Sequence, residues 1–291
     1  MIRDFEYLAP KTLKEALTLL DKYGDECKVI GGGQSLLILM RQGLVAPEYL
    51  IDIKGVSELN YIKSGAKEGL RIGALTTHRA IEKSSAMKNG FGILAEMERR
   101  LASIQTRNWG TIGGNICHGD PAGDPAPVLI ALNATLSVAG LKGTRTMAVE
   151  DFFLDYFETA LEPGELLAEI QVPAAAPHTG TAYTKFNVIE SDLATVGVAV
   201  SITLGSNDGI CNDARIVLGA SAPTPKRAKQ AEAVLRGKKI TDNLLKEAGQ
   251  IAATEAEPVS DIYASEEYRR ELVKVLVARV SKEALAKAKQ A

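Results

Sequence analysis

Cysteine is scarce in this 291-residue chain: Cys27, Cys117 and Cys211 stand far apart and form no CxxC pair, iron–sulfur run or zinc knuckle. An odd, sparse count suits a reducing compartment and leaves no disulfide framework. Histidine is equally rare, and the positions of His78, His118 and His178 suggest no Ser-His-Asp or paired-carboxylate arrangement. No catalytic side chain and no metal site is therefore expected. Charge of one sign is missing too, since 34 basic residues meet 36 acidic ones and no whole-molecule field would draw in nucleic acid or an anionic membrane. The densest apolar run, Leu36 to Met40, is far too short to span a bilayer. "MIRDFEYLAP" at the N-terminus has no apolar stretch of signal-peptide length. These absences lead us to expect a soluble, cytoplasmic protein with no transmembrane segment and no nucleic-acid partner.

What the chain does contain is enough sequence for two or three modest domains with covered cores. "TLKEALTLLDKYG" places Leu13, Ala16, Leu17 and Leu20 on one helical face, with Thr12 and Glu15 in a capping-box pattern and Gly24 as the stop. "CKVI" reads as a buried strand, residues 34 to 42 as a helix ending near Gly43, and "YLIDI" as a second strand. From residue 58 the texture changes to short strands, "ELNYI" and "GLRIGAL", then a helix with Ile93, Leu94, Met97, Leu101 and Ile104 at helical spacing. A short helix with Leu129 and Leu132 and the strands "TLSVAG", "TRTMAV" and "LLAEIQVP" follow. "PAAAPHTG" (173–180) is linker-like. Beyond it a hairpin is expected around the turn signal "SNDG", with helices near 226–236, 241–253 and 266–288. The fold class is α+β: 1–55 as a strand, glycine loop, helix, strand unit, 56–175 as a second subdomain, and 180–291 as a C-terminal domain of two or three strands covered by helices.

Two glycine segments carry the chemistry. A strand that ends in "GGGQS" and opens a helix exposes backbone N–H groups in a concave array with no Cβ in the way, which suits a phosphate. Gly31 and Gly33 satisfy G-x-G, but Leu36 stands where the dinucleotide fingerprint needs glycine, and no Gly-Lys-Ser/Thr follows for a P-loop. Alone, three glycines serve equally as a tight structural turn. The second loop, "TRNWGTIGGNICHGDPAGDPAP" (106–127), adds "TIGGN" and the carboxylates Asp120 and Asp124. Two nests can grip one pyrophosphate from two sides, and a nearby carboxylate commonly accepts from sugar hydroxyls. That combination describes a dinucleotide cofactor.

"GGGQSLL", "RIGALTTH", "RNWGTIGGN" and "DPAGD" occur in an order and spacing that resembles the FAD-binding medium subunit of the molybdenum hydroxylases, the family of carbon monoxide, xanthine and nicotinate dehydrogenases. The resemblance covers essentially the whole chain. It implies a two-part FAD-binding domain of the vanillyl-alcohol oxidase type, then the C-terminal domain usual in these flavoprotein subunits. It also implies non-covalent FAD, with Ile30, Gly31, Gly32, Gly33, Gln34, Ser35 and Leu36 forming the first pyrophosphate loop and Lys28 leading into it. Thr111, Gly113, Gly114 and Asn115 would form the second loop, with His118 and Leu167 as further contacts. Asp124 matches a sugar-binding carboxylate, although it could equally be a helix N-cap. Lys185 in "YTKF" matches a lysine near the pyrimidine end of the flavin, although it could be an ordinary strand lysine. The implied partners are a large molybdenum-cofactor subunit and a small subunit with two [2Fe-2S] clusters, in a heterotrimer. The implied activity is electron transfer from those clusters through FAD to an external acceptor: NAD, oxygen, a quinone or another carrier.

Some residues depart from the family pattern. Ile189 stands at or near the place where an arginine usually follows "KF", and "PAPV" after Asp124 places prolines on either side of the usual position. A cysteine-rich iron–sulfur insertion found in one branch is ruled out by the scattered cysteines. His78 caps a helix or lies near the flavin, His178 belongs to the linker, and Trp109 packs plainly or beside the cofactor. Two other readings stay open. One is a free-standing FAD oxidase of the vanillyl-alcohol oxidase type, for which residues 181–291 are small. The other is an assembly scaffold that has lost its flavin.

Overall fold

The computed structural model describes residues 2–88, 90–189, 191–206 and 209–291. The chain begins with β1 (Glu6–Leu8), α1 (Leu13–Tyr23), β2 (Cys27–Ile30), α2 (Leu36–Arg41) and β3 (Tyr49–Asp52). Helix α1 starts where Thr12 Oγ1 accepts from the Glu15 N–H at 3.2 Å, while the Glu15 carboxylate takes the Lys11 N–H at 2.7 Å. It buries Ala16, Leu17 and Leu20 and stops at Gly24, whose φ of +48° suits glycine. Both crossovers contain a helix, so the three strands run parallel in the order β1-β3-β2.

The second unit comprises β4 (Ile62–Gly65), β5 (Gly69–Gly73), α3 (His78–Lys83), α4 (Gly92–Arg100), α5 (Ile104–Trp109), α6 (Ile112–His118), α7 (Pro125–Ala131), β6 (Thr135–Gly140), β7 (Gly143–Ala148), β8 (Phe153–Asp155), β9 (Glu158–Thr159) and β10 (Leu166–Val172). Its main sheet is antiparallel with the order β4-β5-β10-β6-β7. Leu70, Ile72, Leu136, Val138 and Ile170 from the sheet form one core with Leu94, Met97, Ile112, Ile116 and Leu129 from the helices.

The third unit holds β11 (Thr179–Phe186), β12 (Val196–Leu204), β13 (Cys211–Gly219), β14 (Lys226–Arg227), α8 (Lys229–Leu235), α9 (Asp242–Glu255) and α10 (Glu266–Ala288). Its sheet follows chain order, β11-β12-β13-β14. Val198, Val200, Ile202, Ile216 and Leu218 face Val273, Val277 and Val280 of α10. The opposite face contributes Tyr183, Ala199 and Val217 to the core of the second unit. Burial on both faces explains why β12 reads as an almost unbroken apolar run rather than an alternation.

The overall class is α+β as expected, but several elements differ from their sequence reading. The helix expected through Ile104 is two helices, because Ala102 at φ +42° breaks the run and leaves Ile104 on the surface. "ELNYI" contributes a 3-10 turn at Ser57–Leu59, and β4 begins only at Ile62. The third sheet has four strands rather than two or three. Thr179 and Gly180, read as linker, open β11, while Lys226 and Arg227, read as helix, form β14. Asn207 and Asp208 of the hairpin turn lie outside the described residues. Among the described residues no helix is long and apolar enough to cross a membrane.

Helix α10 approaches β11 backbone to backbone. A Cβ at Gly180 would lie 2.0 Å from the Ala284 carbonyl oxygen and 2.2 Å from the Ala288 nitrogen. Neither neighbour is a flexible side chain, so Gly180→Ala is expected to cost about 3 kcal/mol of stability, measured by urea unfolding.

Candidate cofactor site

The two glycine segments meet. After Ile30 ends β2, residues 31–35 bend into α2, with Gly33 at φ +72°. A Cβ on Gly32 would fall 2.3 Å from the Trp109 carbonyl oxygen and 2.6 Å from the Gly110 Cα, and one on Gly31 would lie 3.2 Å from Thr111 Oγ1. The second segment is held from its other side by the chain leaving β5. The N–H of His78 donates to Gly110 O (3.0 Å), that of Ile112 to Thr76 O (3.0 Å) and that of Gly113 to Ala74 O (2.9 Å). A Cβ on Gly113 would sit 2.5 Å from that of Ala74. Three backbone layers are therefore stacked at glycine distance, which side chains at positions 32 and 113 would forbid.

The expected second loop is mostly helical. Thr111 is the N-cap of α6, its Oγ1 accepting from the Gly114 N–H at 3.1 Å, so "TIGGN" is a capped helix start rather than an open loop. In the first segment Ser35 sits at the cap position of α2 without a side-chain hydrogen bond. The backbone N–H groups of Gly32, Gly33, Gln34 and Ser35 find no acceptor among the described residues. Buried backbone donors are nearly always paired, so an unpaired run in half-buried backbone is a place for a polar ligand.

Of the residues singled out in the sequence, Ile30, Thr111 and Gly113 are buried at this junction, Gly31 to Leu36 and Asn115 are half-buried, and Lys28 and Gly114 are exposed. His118 lies in the last turn of α6 beside the Phe157 ring, at 5.2 Å between centroids. Leu167 is buried within β10, in the core shared with Ile112 and Ile116. Asn115 leads on to the next group, since its Oδ1 would lie 3.2 Å from a Cβ at Gly123.

There Asp124 is 4% exposed, at the cap position of α7 but making no cap hydrogen bond. Its Oδ1 accepts from the Tyr183 hydroxyl at 2.5 Å and its Oδ2 from Lys185 Nζ at 2.8 Å. Lys185 also donates to the Asp192 carbonyl at 3.0 Å, so it is a buried, paired lysine rather than a solvated one. Burial pushes the Asp124 carboxyl up, against the pull of Lys185 and Tyr183. Burial and then the Asp124 charge hold the Tyr183 hydroxyl well above its ordinary value, which keeps it a donor.

A second buried pair lies under the glycine junction. Thr77 caps α3, whereas the His78 ring turns inward, with Nδ1 2.9 and 3.1 Å from the two Glu98 oxygens. His78 Cδ2 would touch a Cβ on Gly110 at 3.1 Å. Burial raises the Glu98 carboxyl, with His78 pulling it back.

Sequence reasoning missed Glu98 and Tyr183. The available signals were a carboxylate next to Met97 on the apolar face of α4, and the two-residue spacing that puts Tyr183 and Lys185 on one face of β11. Trp109 is 63% exposed, and it is its carbonyl rather than its ring that meets Gly32. The His178 ring contacts the Ala291 carbonyl at 2.8 Å, and Ile189 is exposed. Among the described residues no group of three or more His, Cys, Asp or Glu could hold a metal ion.

Comparison with known proteins agrees with this geometry. Residues 3–175 match the family described as FAD binding domain in molybdopterin dehydrogenase, and 181–284 match the CO dehydrogenase flavoprotein C-terminal domain. The chain belongs to this flavoprotein family of the molybdopterin dehydrogenases. Among the family's curated members, the glyceraldehyde dehydrogenase medium chain of Sulfolobus acidocaldarius is 36% identical over 96% of this chain and 98% of its own. The carbon monoxide dehydrogenase medium chain of Hydrogenophaga pseudoflava is 36% identical over 94% and 95%. A solved carbon monoxide dehydrogenase from that organism superposes with a TM-score of 0.95 at 37% identity, covering 99% of both chains.

Two measurements probe the site's electrostatics. Lys185→Met leaves the buried Asp124 carboxylate without its cation and is expected to cost about 3 kcal/mol in urea unfolding. Burial holds His118 below its ordinary value, with Asp120 opposing. A depressed imidazole contributes stability that is present above its unfolded value of about 6.5 and is lost as pH falls through the lower folded value. In His118→Asn the decline of Tm on acidification below about pH 6.5 is expected to flatten.

Proposed function

We propose that this chain is the FAD-carrying electron-transfer subunit of a cytoplasmic molybdenum-dependent hydroxylase or dehydrogenase. It works with a large subunit holding the molybdenum cofactor and a small subunit holding two [2Fe-2S] clusters. The observation that carries this reading is the glycine junction, where unpaired N–H groups at Gly32 to Ser35 lie against the capped start of α6. The residues fit a pyrophosphate: the donors are backbone, no Cβ covers Gly32, and Thr111, with its Oγ1 accepting from Gly114, keeps a hydroxyl proton to donate.

When bound, FAD supplies the means to collect electrons singly and release them in pairs. The chain's own residues hold and tune it. Gly32 to Ser35 and Thr111 to Asn115 bind the phosphates, while Lys28, Ile30, Leu36, His118 and Leu167 flank the cofactor's path. Asp124 uses a lone pair left over from Tyr183 and Lys185 to accept from a sugar hydroxyl. Lys185, fixed by Asp124 and the Asp192 carbonyl, would stand beside the bound cofactor, where a cation would favour the reduced, more negative form. No side chain is assigned an acid–base step.

A tagged pull-down from native cells, with an absorbance spectrum and acid-release flavin assay, tests the reading. The expected eluate holds a molybdenum-containing large subunit, a small iron–sulfur subunit and about one non-covalent FAD per chain. A lone yellow protein that oxidises a substrate unaided would favour the free oxidase, and a colourless one the scaffold. Gly32→Ala must push the two glycine segments apart, and is expected to lower FAD affinity at least about tenfold in a titration of apoprotein by flavin fluorescence.

A further inference from the structure

A cleft of about 370 Å³ lies where the C-terminal end of α4 meets the last turns of α10, lined by Glu96, Arg99, Arg100, Tyr183, Glu283 and Lys287. Tyr183 is its one buried wall, and that hydroxyl is already spent on Asp124. The rest of the lining is charged, so what the cleft can hold depends on which charges are already answered. Lys287 Nζ lies 3.2 Å from the Glu96 carboxylate and 3.0 Å from that of Glu283, so one ammonium serves both acids. Arg99 and Arg100 have no hydrogen bond and no carboxylate partner among the described residues.

Basic side chains in the last turn of a helix ordinarily serve its free carbonyls and the negative end of its dipole. At this helix end other groups take the carbonyls. The Leu101 N–H donates to Glu98 O at 3.2 Å, and Arg107 Nη1 donates to the Leu101 and Ala102 carbonyls at 2.7 and 2.8 Å. Arg99 and Arg100 are left lining the cleft with their donors unused. Neighbouring residues of a helix point about 100° apart, so two guanidinium forks at one cleft approach its contents from two sides. Burial and Asp124 raise the Tyr183 hydroxyl while the Arg100 charge pulls it the other way, which sets that guanidinium near the buried wall.

We propose that this cleft binds a phosphate group, as free phosphate or as a small phosphomonoester, between Arg99, Arg100 and the Lys287 ammonium. Planar guanidinium forks take phosphate oxygens two at a time, a match that a single-point anion such as chloride does not offer. The volume suits one small phosphorylated molecule, and Glu96 and Glu283 at the same cleft turn away an extended polyanion such as nucleic acid. An occupant touches α4 of the second unit and α10 of the third at once, so its binding energy strengthens the joint between them. The cleft shares no residue with the glycine junction, and the proposal stands whether or not FAD binds there.

The test is calorimetric titration and thermal unfolding of the full chain with inorganic phosphate, with glycerol 3-phosphate and with sodium chloride at matched ionic strength. The phosphates are expected to bind at one equivalent with Kd below about 1 mM and to raise Tm further than chloride does. Arg99→Gln and Arg100→Gln are each expected to weaken binding at least about tenfold, and the double substitution to remove it. Arg100→Lys, which keeps the charge and loses the fork, should restore only part of the affinity. Because the glycine junction also offers donors to a phosphate, Gly32→Ala is the control and is expected to leave this binding unchanged. Without phosphate, the arginine variants should melt within about 3 °C of the parent, since neither guanidinium holds a partner. Equal binding of the two phosphates supports the free anion as ligand, and tighter binding of the ester supports an organic phosphate. Equal effects of chloride and phosphate, or phosphate binding that survives the double substitution, would overturn the proposal.

Discussion

The contact on which the candidate cofactor site depends is the approach of Gly32 to the carbonyl of Trp109, where a Cβ would fall 2.3 Å away. The first unit ends β2 there, and the second unit has to bring a helix start to the same point, so both are built around a contact that only bare backbone can make. The zipper of Ala74, Thr76 and His78 to residues 110–113 presents the second segment at the right height, and the buried His78–Glu98 pair supports it from below. A glycine turn that opens a helix is usually stiffened by that helix alone. Here the stiffness comes from a partner strand exit and a buried hydrogen bond, elements that lie far apart in sequence.

Farther along, charge takes over from backbone. Asp124 begins α7 in the second unit, whereas Tyr183 and Lys185 belong to a strand of the third, so the buried cluster joins the two parts. Such a pair stabilises little in absolute terms, because both ions have left water, but it is costly to break and therefore fixes one relative placement. Apolar packing of Tyr183, Ala199 and Val217 against α4 and α7 surrounds it and keeps solvent out.

The glycine segments were legible because glycine is chosen for what other residues cannot do, and their order carried the family resemblance. Helix α1 and strand β6 were legible for a simpler reason, since each buries a single face and shows its period, and β10 was legible from its run of apolar residues. What escaped the sequence depends on distant partners. Glu98 looks like a surface residue until His78 is brought to it, and Tyr183 looks like an alternating strand residue until its hydroxyl donates to Asp124. The split at Ala102 reflects a backbone angle that alanine does not advertise, and the short β14 exists only because β13 is there to pair with it. The helical form of "TIGGN" was hidden by its glycines, which argue for a loop until Thr111 is recognised as the cap.

Helix α10 has a consequence of its own. It lies on the third sheet at glycine distance, and Lys287 near its end reaches Glu96 on α4 at 3.2 Å. Any hinge between the two parts would have to tear that bridge, the Asp124 cluster and the doubly buried sheet together. The second and third units are thus tied together at three separate places. On the proposed reading as an electron carrier, such a frame would do what a rigid circuit board does for its components: it would hold tunnelling distances constant, so that traffic would be timed by the arrival of partners rather than by motion within the carrier.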